Sequence, residues 1–271
     1  ISYTGGCSSS DNTTAVADEN ITITFNELAD NTYNCTIRVT DNASNTSSAL
    51  PVTQFVIDTT GPTVAEVTAV ANPGNDTTPR YIFSSNEAGT ITYGGSCSSS
   101  TSAASASDNT IDFNTLSVGS YDDCTIRVTD NASNQSNRLD VNIFVIEITP
   151  PTVSSIYPTD NLGGISISTD NISVTFSESM DTTSVTANSS GTSCSGTLQV
   201  STDSFSTCIR MNSYTPSVFN SNKTFTVTPS SNLSSSTNYQ IRVTTGVKDS
   251  SGNALSSQYE TPNGFTTTTS S

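Results

Sequence analysis

The chain has 271 residues, with 24 acidic against 8 basic side chains, a formal net charge of −16, and neither histidine nor tryptophan. Without imidazole there is no Ser-His-Asp or Cys-His nucleophile and no histidine-ligated metal, and the acidic balance disfavours nucleic acid and anionic membranes as partners. Ser, Thr and Asn make up roughly 45% of the chain, far above ordinary usage, and no apolar run approaches the length that spans a bilayer.

In chain order, short alternating segments come first. Ile21-Thr-Ile-Thr-Phe25 and Thr36-Ile-Arg-Val-Thr40 put apolar and hydroxyl side chains on opposite faces, the two-residue period of a half-buried strand that tolerates Thr well. A turn, Asp41-Asn-Ala-Ser-Asn45, leads to a closing strand that ends Phe55-Val-Ile-Asp58. Two further strands are expected over Thr63–Val70 and Arg80–Ser84. The chain then repeats itself. Ile1–Ser10 returns with small changes as Ile91–Ser100, Cys35–Asn45 returns unchanged as Cys124–Asn134, and Phe55–Asp58 returns as Phe144–Glu147. Residues 59–147 therefore read as one complete repeat. Residues 1–58 lack a counterpart to about residues 59–90, and read as an incomplete repeat without its first two strands. Either the chain is a slice of a longer repetitive protein, or a neighbouring chain supplies the strands by β-augmentation.

From Ile148 the pattern changes. Pro150-Pro-Thr-Val153 matches Gly61-Pro-Thr-Val64, but Ile172–Phe176, Ser177-Glu-Ser-Met-Asp181, Lys223–Pro229, Ile241–Val243 and Asp249-Ser-Ser-Gly-Asn253 have no earlier equivalent. Residues 148–271 read as a third domain of a different class. No 3.6-residue stripe is present, so the expected fold is all-β, with proline-bearing linkers near residues 59 and 148. Tandem sandwiches in an elongated rod are the expected architecture.

These motifs resemble the bacterial immunoglobulin-like repeats of very large surface and secreted proteins. The carriers are the Val-Thr-Asp-Asn-Ala-Ser-Asn turns (Val39–Asn45, Val128–Asn134) and the Phe-Val-Ile-Asp/Glu strands with their Pro-Thr-Val continuation. The third domain is similar to the Ig-like modules of S-layer and adhesin proteins, through Val174–Asp181 and the run Asp249–Leu255. The resemblance implies an extracellular or cell-surface location and a setting in spacers, adhesive tips or filaments. A tyrosine corner fits it: Tyr33, Tyr121 and Tyr239 each enter a strand a few residues after Leu28, Leu116 and Leu233.

Six cysteines fall two to a domain, as Cys7/Cys35, Cys97/Cys124 and Cys194/Cys208. Of the 15 possible pairings, pairing within each domain needs no contact between domains, and in the Ig strand order the repeat cysteines lie on neighbouring strands of one sheet. A closed loop of about 28 residues is worth roughly 3–4 kcal/mol, and the compartment is expected to be oxidising. Lysine–asparagine staples are excluded from the first two domains, because Lys223 and Lys248 are the chain's only lysines.

Glu178 and Asp181 are the one tempting pair for glycoside hydrolysis, but they sit in a loop segment, and no enzyme is expected. Structural Ca²⁺ is the sharper candidate cofactor, since hard cations take clustered carboxylate and amide oxygens. Ig topology implies that Asp58, Glu87, Asp130, Asn131 and Asn134 meet at the first joint. Glu147, Glu178, Asp181, Asp249 and Asn253 are the equivalent set at the second, with Lys248 weakening it. The plainer reading of Asp-x-x-x-Asn is turn chemistry, each side chain bonding local backbone. The expected function is a non-enzymatic fibre, filament or stalk segment that associates with itself or with neighbouring Ig-like domains. The alternative is an adhesin module binding a surface glycan or protein through exposed loops.

Overall fold

A computed structural model describes residues 1–169 and 171–269. The two-residue period becomes strand throughout. In Arg80–Ser85, Tyr81 and Phe83 are fully buried while Ile82 and Ser84 are half-exposed. Ile172–Phe176, Thr224–Val227 and Asn238–Val243 alternate in the same way. Thr and Ser occupy many outer positions, where a β-branched or small polar side chain suits a pleated, solvated face. The ladders between these strands are antiparallel, and the described residues form an all-β fold of Ig-like sandwich type.

By its internal contacts the chain divides into two compact units, one of residues 1–69, 80–114 and 123–142, the other of residues 70–79, 115–122 and 143–271. In the first, Arg80–Ser85 is flanked by Val64–Thr68 and Asp108–Asp112, and Thr125–Thr129 lies between Gly89–Gly94 and Leu139–Asp140. The earlier repeat contributes two small sheets: Ser2–Thr4, Thr36–Arg38 and Leu50–Pro51 in one, Asn31–Tyr33 with Phe55–Ile57 in the other. The strand expected over Ile21–Phe25 does not form. Its counterpart Asp108–Asp112 is held by a ladder to Arg80–Ser85, whereas among the described residues no strand pairs with residues 21–25.

In the second unit, Gly119–Tyr121 pairs with Phe144–Ile146, whose Val145 N–H donates to Asn72 Oδ1 at 3.1 Å. Two four-stranded sheets follow. Val153–Tyr157, Ile172–Phe176, Thr224–Val227 and Ser217–Phe219 form one. In the other, Asn238–Val243 pairs with Leu198–Ser201 on one side and with Tyr259–Glu260 and Phe265–Thr266 on the other. Their inward side chains form a single core that includes Phe176, Leu198, Phe225, Tyr239, Ile241 and Phe265.

Disulfides join Cys7 to Cys35, Cys97 to Cys124 and Cys194 to Cys208, with Cα separations of 5.8, 5.2 and 4.8 Å. The first two link residues just beyond the end of one strand to residues just before its antiparallel neighbour. They therefore lock the ends of pairs that the backbone already joins.

One tyrosine–phenylalanine pair recurs three times. Tyr33 lies directly opposite Phe55, Tyr121 opposite Phe144, and Tyr239 opposite Phe265. The rings stack at centroid distances of 5.5, 5.1 and 5.5 Å. Tyr33 and Tyr121 donate their hydroxyls to the carbonyls of Ala29 and Ser117, both at 2.8 Å. The Tyr239 hydroxyl accepts the Ser234 N–H at 2.8 Å. Tyr239→Phe would remove the acceptor of that part-buried bond and is expected to cost about 0.5–1.5 kcal/mol. Phe265→Ala would open a cavity under the same ring and cost about 3–5 kcal/mol. Urea titration of both variants checks the order; equal losses would mean that the hydroxyl bond contributes as much as the ring packing.

Candidate functional site

Three Asp-x-x-x-Asn turns share one local structure. In residues 41–45, 130–134 and 249–253 the Asp N–H donates to the Asn carbonyl at 2.9, 3.0 and 2.9 Å. The Asn N–H returns a bond to Asp Oδ1 at 2.9, 2.8 and 2.8 Å, and the Asn side-chain amide donates to Asp Oδ2 at 3.0, 3.1 and 2.9 Å. At Asp41 the Asn45 side chain, then the Asn45 backbone, hold the carboxyl below its usual range.

In two of the turns the Asn amide has a further acceptor. Asn134 Nδ2 donates to the backbone carbonyl of Asp58 at 3.0 Å. Asn253 Nδ2 donates to the carbonyl of Glu147 at 3.1 Å and to Glu147 Oε2 at 2.8 Å. The turn therefore fastens the linker that precedes its own repeat.

That fastening brings linker acids to loop acids. Asp58, Glu87 and Asp130 each offer a carboxylate oxygen, all within 4.8 Å of one another, and Glu147, Glu178 and Asp249 do the same. Asp58, Glu87, Asp130 and Asn131 border an open cleft of ≈570 Å³, with Val56 and Ala106 among its apolar edges. Asp249 is almost wholly buried. Burial, then the charges of Asp249 and Glu147, push the Glu178 carboxyl above its usual range, while Lys223 and a bond from Ser177 oppose the shift.

The donor set suits a hard cation. Ca²⁺–oxygen bonds of 2.3–2.6 Å limit two oxygens on one ion to about 5 Å apart, and both triads meet that limit. All-oxygen ligation without His or Cys argues against Zn²⁺. Of the sequence candidates, Asp58, Glu87 and Asp130 converge and Asn131 lines the same cleft. Asn134 turns its amide nitrogen to Asp130 and to the Asp58 carbonyl, so it braces the triad. In the second set Glu147, Glu178 and Asp249 converge and Asn253 braces them, but Asp181 lies outside the group. Its carboxylate is taken by its own turn, where the Thr183 N–H and hydroxyl donate at 2.9 and 2.7 Å. Lys223, which the sequence did not single out for this site, is the cation acting on Glu178; it comes from the turn before the strand Thr224–Val227, a placement that only the sheet order reveals.

Residues 147–269 match the family model of a bacterial Ig-like domain. No curated protein matches the chain. Among solved structures, the mixed-linkage glucan utilization locus protein SGBP-B of Bacteroides ovatus, in complex with a mixed-linkage heptasaccharide, is 15% identical with a TM-score of 0.21. The alignment covers 90% of this chain and 56% of that one.

Glu178 carries the testable electrostatics. Its raised carboxyl contributes stability that is complete below the ordinary value of about 4.3 and lost as pH rises through the shifted one. In EDTA, Glu178→Gln is therefore expected to gain stability relative to the wild type as pH rises from about 4 towards neutrality; thermal melts of both across this range read the difference, and a constant difference would sink it. Asn253→Ala, which strips donors from Asp249 and Glu147, is expected to cost about 1–2 kcal/mol.

Proposed function

We propose that this chain is a non-enzymatic structural segment of an extracellular fibre or cell-surface stalk, stapled by cystine and stiffened where its linkers meet the loops of the following repeat. One observation carries the reading: each linker acid, Asp58 and Glu147, stands with two loop acids at ligand spacing, while an asparagine amide grips the same linker's backbone. Three disulfides and no free cysteine among the described residues support an oxidising compartment. The partners are copies of itself or neighbouring Ig-like domains.

Asp58, Glu87 and Asp130 would hold Ca²⁺ in one triad, and Glu147, Glu178 and Asp249 in the other. Bound there, Ca²⁺ supplies positive charge and ties linker to loop. The residues do the rest. Asn134 and Asn253 orient the carboxylates, and the buried Asp249 sets a fixed wall. Extracellular modules of this kind bind with dissociation constants of about 10⁻⁴–10⁻³ M, so an ion at about ten times that level adds roughly 1.4 kcal/mol per site.

A second reading rests on Tyr214 and Phe219, both more than half exposed. Bare rings are a stacking platform for sugars, and an adhesin would use them. Glycan-array binding that is lost in Tyr214→Ala would favour that reading.

The structural reading is tested by melting temperature and small-angle scattering in Ca²⁺ and in EDTA. Ca²⁺ is expected to raise the melting temperature by about 3–6 °C and to narrow the distribution of lengths. Asp130→Asn with Asp249→Asn should remove both effects. No response to either condition would eliminate the Ca²⁺-stiffened segment.

A further inference from the structure

The two four-stranded sheets that share the core of Phe176, Phe225 and Tyr239 treat their outer faces differently. On the sheet built around Asn238–Val243, the outward residues of Leu198–Ser201 are buried. Gln199 donates its amide to the carbonyls of Cys194 and Gly196 at 3.2 and 3.0 Å, and the Ser201 hydroxyl accepts the Phe205 N–H at 2.9 Å. The Phe205 ring lies 3.7 Å from the Arg242 guanidinium. The chain itself, closed by Cys194–Cys208, covers that face. On the other sheet Ile156, Ile172, Val174, Phe176, Phe225 and Val227 point into the core, and the residues that alternate with them are half-buried or exposed.

Register sets those outward residues in two rows that cross the strands. Tyr157 stands opposite Ser173, Ser173 opposite Thr226, and Thr226 opposite Ser217. In the next row Ser155 stands opposite Thr175, Thr175 opposite Thr224, and Thr224 opposite Phe219. Each row thus has one exposed ring at an edge, Tyr157 at 42% on one edge strand and Phe219 at 58% on the other. The Thr175 and Thr224 hydroxyls bond each other at 3.0 Å. Among the described residues the hydroxyls of Ser155, Ser173, Ser217 and Thr226 have no partner within the chain. The first row runs into a groove of ≈170 Å³ bordered by Thr226, Ser217, Thr215 and Asn212, with exposed Tyr214 in the same segment. No charged side chain stands in either row or borders the groove, in a chain of net charge −16. Lys223, just before the second row, gives its ammonium group to the Ser177 carbonyl at 3.3 Å.

We propose that this face and groove dock a neutral, linear polysaccharide laid across the strands, from Tyr157 over Ser173, Thr226 and Ser217 into the groove beside Tyr214. Charge selects the occupant. An array without a cation gives a phosphate or uronate chain nothing to pair with, in a molecule whose overall field repels it. Sugar hydroxyls meet groups that both donate and accept, and the C–H faces of the sugar rings meet aromatic rings at the edges. The area is too small for a second copy of the chain. Four strands of at most five residues span roughly 14 by 17 Å, or about 240 Å², against about 800 Å² per partner in a stable protein interface. The inference rests on the adhesin reading, to which it adds a ligand class and a binding face, and it does not involve Ca²⁺.

Affinity electrophoresis in EDTA tests it, with gels holding hydroxyethyl cellulose, galactomannan, arabinoxylan or dextran, and polygalacturonate as the acidic counterpart. At least one neutral polymer is expected to retard the chain, and polygalacturonate is not. Tyr157 and Phe219 are exposed, so Tyr157→Ala and Phe219→Ala leave the fold intact, which the melting temperature checks. Each should weaken binding about three- to tenfold, the value of one ring contact. Thr226→Val keeps the side-chain shape without the hydroxyl, and should weaken binding about fivefold. The proposal is overturned if no neutral polymer retards the chain, if polygalacturonate retards it equally, or if both ring variants bind as the wild type does. It is also overturned if sedimentation shows self-association that Phe219→Ala abolishes, since a second copy would then occupy the face. Retardation that Tyr214→Ala removes but Tyr157→Ala and Phe219→Ala leave unchanged would keep the adhesin reading and sink this face alone.

Discussion

A chain whose hydrophobic residues make up only 32% of its length must concentrate its apolar burial in few places. One such place recurs three times, where a tyrosine lies directly across from a phenylalanine on the paired strand. The ring pair contributes apolar area and a preferred stacking geometry, and the tyrosine hydroxyl fixes the approach to the strand through one backbone bond. Register follows from this, because a slip by one residue would turn both rings outward. Around so compact an anchor the remaining faces can be coated with Ser and Thr, and the cystines constrain the unfolded chain where additional core would otherwise be needed.

Much of this was legible in the sequence. Alternation of Ile, Val and Phe with Thr gave the strands, and the spacing of Tyr33, Tyr121 and Tyr239 gave the corner. The phenylalanine partners were not singled out, because a cross-strand neighbour is set by register, which composition does not encode. Ile21–Phe25 shows the opposite limit. Its pattern is that of a good strand, yet a strand exists only with a ladder partner, and the described residues give it none. Leu198–Ser201 departs in another way: all four residues are buried, including Gln199 and Ser201. Both of its faces are therefore covered, and alternation of polar and apolar residues says nothing about which face is outside.

At the acidic triads, loop identity was readable and loop conformation was not. Asp58, Glu87 and Asp130 converge because an Asx-type turn is held by its own backbone and presents the carboxylate in a fixed direction. Asp181 looked equivalent, but a threonine two residues on captures it. Short polar side chains choose between local and distant partners on differences of a single hydrogen bond, and residue type alone does not decide that choice. Electrostatic repulsion is distributed unevenly as a result. It is focused on Glu178, where burial and two neighbouring carboxylates act together, and is countered by a lysine far away in sequence.

The grip of Asn134 and Asn253 falls on a peptide carbonyl, a group that every residue possesses. Asp58 and Glu147 differ by a methylene, and the segments that follow them differ in sequence, yet the same clasp closes on both. A connector that recognises main chain places almost no demand on the identity of its neighbour. Modules bearing this turn can be duplicated, reordered or exchanged between genes, and each new junction would still find its hydrogen bond.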